Sequence, residues 1–118
     1  MKETFVLIYR QGARKLSEEE QKQRSEEVRA WAVRQNSEGR KLDPRILGDE
    51  TYSVGLESDG AVEANRAGRL IAIAFIEAND FSEAVKIAKT HPGIRYGVSI
   101  EVRPWGRPAP APATARQN

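Results

Sequence analysis

LIAIAFIEA (70–78), DFSEAVKIAKTH (80–91) and VSIEVRP (98–104) succeed one another along the second half of the chain, with Pro92-Gly93 marking a break before the third. In the first, Leu70, Ala72, Ala74 and Ile76 alternate with Ile71, Ile73 and Phe75, so both faces are apolar. A strand of that kind is normally covered on both sides. The second opens with Asp80 and, three residues on, Glu83, the signature of a capped helix N-terminus. Phe81, Ala84, Val85 and Ala88 give its apolar stripe, while Lys86 and Lys89 face water. The third alternates: Val98, Ile100 and Val102 point one way, and Ser99, Glu101 and Arg103 the other. Residues 70–104 are therefore a strand–helix–strand unit.

Working outward, residues 1–69 read as a looser copy. FVLIY (5–9) is a β-branched and aromatic run, apolar on both faces and ended by Gln11-Gly12. Ser17-Glu18-Glu19-Glu20 has the capping-box pattern, and its acidic first turn suits the positive end of a helix dipole. The helix runs to about Ser37, with Gly39 supplying a left-handed terminus. Its buried stripe is thin (Val28, Trp31, Ala32, Gln35), and its first two turns are polar all round and predicted to be solvated. Asp43-Pro44 and Gly48-Asp49 read as turn signals in a loop over 40–50. Tyr52, Val54 and Leu56 alternate with polar residues and predict a half-buried strand. Ser58-Asp59-Gly60 predicts a turn, and 61–69 a loop or strand extension.

The order strand, helix, strand, strand, helix, strand predicts an α+β domain of ferredoxin-like βαββαβ type over 1–104, with a four-stranded antiparallel sheet. Right-handed crossovers place the first and third strands in the centre. Two helices cover one sheet face only. The second would expose an apolar band, such as Ile71, Ile73 and Phe75, which predicts a homodimer packing sheet to sheet into a dimeric α+β barrel. Residues 105–118 are rich in Pro and Ala without a period, and predict a disordered tail.

Composition narrows the function. The 118 residues carry a net charge of +2, with no cysteine and one histidine. Disulfides, thiolate metal sites and a cysteine nucleophile are excluded. The basic residues show no clustering in the sequence, so a nucleic-acid partner is not expected. No apolar run approaches a membrane span or a signal-peptide core, and the expected location is the cytoplasm.

The opening FVLIYR, Trp31, Gly39, Asp59-Gly60, Gly68 and above all His91-Pro92 followed by IEVRP (100–104) resemble the YCII-related family, including its branch named for an Asp-Gly-Pro-Phe motif. The resemblance covers about residues 5–104 and implies a dimeric α+β barrel. Here Asp59-Gly60 is followed by Ala61-Val62 rather than Pro-Phe. The first helix also lacks the histidine proposed in some members for a His/Asp acid–base pair.

The candidate catalytic residue is accordingly His91, whose side-chain type titrates near neutral pH. Its alternative role is a cap at the helix C-terminus, as imidazolium. Tyr9, Ser99, Glu101 and Arg103 are the candidate ligand-cleft residues. A carboxylate and guanidinium on one strand face can orient a small polar or anionic ligand, or form an ion pair between subunits. Asp43 is a weaker candidate at the cleft mouth. Trp31 reads as a core anchor, and Gly12 and Gly93 as turn residues. No cofactor motif or metal-ligand spacing is present. Two functions follow: a small-molecule-binding protein, extending to a cofactor-free enzyme, or a non-catalytic accessory module acting through its dimer surface and tail.

Overall fold

A computed structural model describes residues 2–55, 59–61 and 67–106. The elements are β1 (Glu3–Arg10), α1 (Glu18–Ser37), β2 (Asp43–Ile46), β3 (Tyr52–Ser53), β4 (Gly60–Ala61), β5 (Leu70–Ala78), α2 (Phe81–Lys89), a 3-10 turn (Pro92–Tyr96) and β6 (Ser99–Pro104). The main sheet has the order β2-β5-β1-β6 with every pair antiparallel. The chain is thus α+β, two helices on a four-stranded antiparallel sheet, an arrangement compatible with a ferredoxin-like fold. The two strands apolar on both faces, β1 and β5, are central as expected.

The second strand is not where alternation placed it. β2 comes from Asp-Pro-Arg-Ile at 43–46, inside the segment read as a loop. Pro44 is tolerated because β2 is an edge strand with one neighbour, so its missing N–H breaks no second ladder. Tyr52–Ser53 instead pairs with Gly60–Ala61 in a separate two-stranded ribbon. Tyr52 and Val54 stand 63% and 81% exposed there, so their alternation does not record burial. Leu56, Ser58 and residues 62–66, in the predicted strand, turn and loop, lie outside the described residues.

Both helix starts follow the local chemistry. Ser17 Oγ accepts from Glu20 N–H, and Glu20 returns the bond to Ser17 N–H, completing the capping box. At α2, Asp80 Oδ1 accepts from Glu83 N–H at 2.8 Å, but Glu83 reaches back one residue further, to Asn79 N–H. α2 buries Ala84, Ile87 and Ala88 and leaves Phe81 half exposed, so Ile87 takes the place assigned to Phe81. The alanines at 74, 78, 84 and 88 are all buried, and these small side chains let α2 lie close on the sheet.

Phe5, Leu7, Tyr9, Ala74 and Ile76 form the helix-side core with Trp31, Leu42 and Ile87. Strand alternation puts Val6, Ile8, Ile73 and Phe75 on the opposite face. Ile71, expected in that band, falls at an irregularity opposite Tyr9 and Arg10 and packs against the helix-side core instead. Trp105, assigned to the tail, continues the sheet: its N–H donates to Thr4 O at 3.1 Å, and its ring meets Phe75 edge-on at 4.8 Å. The rest of the expected tail, from Arg107, lies outside the described residues. No helix among the described residues is long and apolar enough to cross a membrane.

Candidate functional site

α1 is anchored at its C-terminal half and stands off the sheet at its N-terminal half. The anchor is Trp31, 2% exposed, whose Nε1–H donates to Thr90 Oγ1 at 2.8 Å and ties α1 to the end of α2. Ahead of it, Gln21, Arg24, Ser25 and Val28 continue the same stripe and border open space. The space beneath them is an open cavity of about 1300 Å³ between α1, the ends of β1 and β5, β2 and the 3-10 turn.

His91 sits at its floor. It follows α2 and forms the N-cap of the 3-10 turn, where Pro92 occupies a position that needs no donor. Its Nδ1 accepts from Gly93 N–H at 2.9 Å. A Cβ at Gly93 would lie 3.0 Å from the imidazole Cε1 and Nδ1, so glycine there admits the folded-back ring. Tyr9 and Trp31 meet the imidazole edge-on, at 4.9 and 4.6 Å between ring centroids. Burial in this aromatic slot pushes its pKa from 6.5 down to about 4.

These contacts decide what His91 can do. With Nδ1 accepting from a backbone N–H, the neutral ring carries its proton on Nε2. It is therefore not an imidazolium donating to helix carbonyls, and Nε2 is not a free base. What remains is a hydrogen-bond donor, because Nε2–H has no partner among the described residues. Tyr9 is matched to it. Its hydroxyl is also without a partner among the described residues, and burial raises its pKa far above 10, so it stays a neutral phenol.

Ser99, Glu101 and Arg103 lie elsewhere. They pair with Arg10, Ile8 and Val6 of β1 and share the opposite sheet face. There Glu101 sits between Arg10 at 3.9 Å and Arg103 at 3.4 Å, all well exposed. The structure thus joins Tyr9 to His91 but separates both from Ser99, Glu101 and Arg103 by the thickness of the sheet. Asp43 shares that outer face by its register with Phe75 and pairs with Arg45.

Basic residues scattered in the sequence gather at the cavity. Among the described residues Arg14, Lys15, Arg24, Arg29 and Arg69 line it, against a single carboxylate, Asp49. Arg14 is held by Glu20 and by Arg95 O. Arg69 is 6% exposed; it donates to Gly48 O, Asp49 O and Thr51 Oγ1 and pins that loop beside the cavity. Lys15, Arg24 and Arg29 have no ion-pair partner among the described residues. Arg69 escaped the sequence reading because it fell in a stretch without period. Arg24 was legible: it lies four and seven residues before Val28 and Trp31, on the stripe itself.

No family model matches the chain. Nor does any curated protein. No group of three or more potential metal ligands occurs among the described residues. The chemistry available at the cleft is that of two neutral donors, on the largely buried Tyr9 and His91, and a set of cationic side chains.

Proposed function

We propose that this protein binds a small polar or anionic molecule in the cleft beneath the first half of α1, one cleft per subunit of a homodimer. The observation that carries the reading is the charge at the cleft: among the described residues five cationic side chains and one carboxylate line it, and three of the five, Lys15, Arg24 and Arg29, have no ion-pair partner there. Confined charge of one sign in a concave, low-dielectric setting attracts and holds an anion. A cofactor-free enzyme on the same site would use His91 and Tyr9 as donors that polarise a bound carbonyl, since neutral imidazole serves in that way.

The dimer is part of the proposal. Val6, Ile8, Ile73 and Phe75 form the apolar centre of the outer sheet face, where Val6 is buried and the Phe75 ring meets Trp105. A second copy packed there would complete an α+β barrel, as in the YCII-related family, and membership of that family is proposed with it. A second reading, the accessory module, is favoured by Ile46, Tyr52 and Val54, all more than 60% exposed.

Thermal-shift measurements at low salt with a panel of carboxylates and phosphates test the main reading. Stabilisation by anions, lost in Arg24→Gln and Arg29→Gln, is expected. No shift with any anion, together with a native mass spectrum showing the bare chain, would leave the accessory reading in its place.

A further inference from the structure

We propose, resting on the anion-binding reading, that the ligand is an organic carboxylate with an apolar body and an uncharged oxygen acceptor at the end remote from its charge. The acceptor meets Tyr9 and His91 at the floor, and the carboxylate meets Arg24 at the rim.

The floor sets the first requirement. Tyr9 and His91 are 8% and 7% exposed, both line the cavity, and their rings are 4.9 Å apart. Each holds one hydrogen-bond donor that no described residue accepts. Both residues line the cavity, and a ligand oxygen there would accept from each. Neither group carries charge, and Arg69, the one buried cation among the described residues, gives Nη2 to the oxygens of Gly48, Asp49 and Thr51 and pairs with the Asp49 carboxylate, leaving Nε alone without an acceptor. An ionised group at the floor would lose its hydration without a counter-charge, so the inner group is neutral.

The wall and the rim set the rest. Val28, Leu42 and Ile71 also line the cavity and offer no polar side-chain atom, which suits a hydrocarbon body. Arg24 is half buried, faces the cavity and has no carboxylate partner among the described residues. A guanidinium so placed matches a carboxylate in two parallel hydrogen bonds. A nucleotide or inorganic phosphate would use the rim and leave the wall and floor unmet.

The test is calorimetric titration with para-acetylbenzoate, para-isopropylbenzoate (the same shape without the oxygen), methyl para-acetylbenzoate (without the charge) and inorganic phosphate. The acetyl compound should bind roughly threefold to tenfold more tightly than the isopropyl one, the worth of a net hydrogen bond. Tyr9→Phe should erase that advantage and leave the isopropyl affinity unchanged. Arg24→Gln should weaken both acids and leave the ester alone. Circular dichroism and melting curves establish that both variants are folded. Equal or tighter binding of the isopropyl acid overturns the inner acceptor while anion binding stands. Phosphate binding without either benzoate overturns the apolar body while anion binding stands. No heat with any probe removes both readings together.

Discussion

His91 is the only histidine in the chain, so its proton can be followed without ambiguity. In the native state burial holds its pKa at about 4, against 6.5 for an unhindered imidazole. As pH falls through 6.5 the unfolded chain takes up a proton that the native chain refuses until about 4. The unfolded state therefore binds more protons across that window, and stability rises with pH there. Its contribution is complete above 6.5, falls as pH is lowered, and levels off below about 4. The gap between 6.5 and about 4 corresponds to about 3 kcal/mol, at a slope approaching 1.4 kcal/mol per pH unit. The assay is urea unfolding across this range for the wild type and His91→Asn, with an NMR titration of the imidazole Cε1 proton. Asparagine keeps an oxygen to accept from Gly93 N–H but does not titrate. Carboxylates that protonate in the acidic half of the window cancel in the difference between the curves. A native pKa near 6.5, or two parallel stability curves, would refute the neutral, backbone-tethered imidazole.

Three further outcomes are expected. Gly93→Ala should cost about 1–2 kcal/mol in unfolding free energy, because the new Cβ crowds the His91 ring at 3.0 Å, and the NMR titration should move toward 6.5 as the ring is displaced. Trp31→Phe should lower stability by about 2 kcal/mol through the lost bond to Thr90 and the smaller ring; unchanged melting would show that the α1 anchor lies elsewhere. Ile73→Asp places a charge in the outer sheet face and should convert a sheet-to-sheet dimer to monomer by light scattering. Equal masses for variant and wild type would remove that interface.

Much of the frame was written locally. The capping box at Ser17, the Asp80 cap and the doubly apolar β1 and β5 are set by residues within a turn or two, or by a period of two, and each appears as read. The edge strand was not legible. Asp43-Pro44 looks like a turn, and only the free edge of β5 makes it a strand, through bonds made to residues about thirty positions away. His91 shows the same division at the site. Its sequence position announces a residue just past a helix, where the dipole favours imidazolium. The tertiary structure brings Tyr9 and Trp31, distant in sequence, onto its ring, and desolvation outweighs the dipole. The cleft charge is also a tertiary product: Arg14, Arg24, Arg29 and Arg69 are ordinary surface cations until the fold aims them at one space. Sequence fixes what short-range hydrogen bonds and alternation can decide; which groups lose water, and which charges meet, depends on contacts that chain folding alone creates.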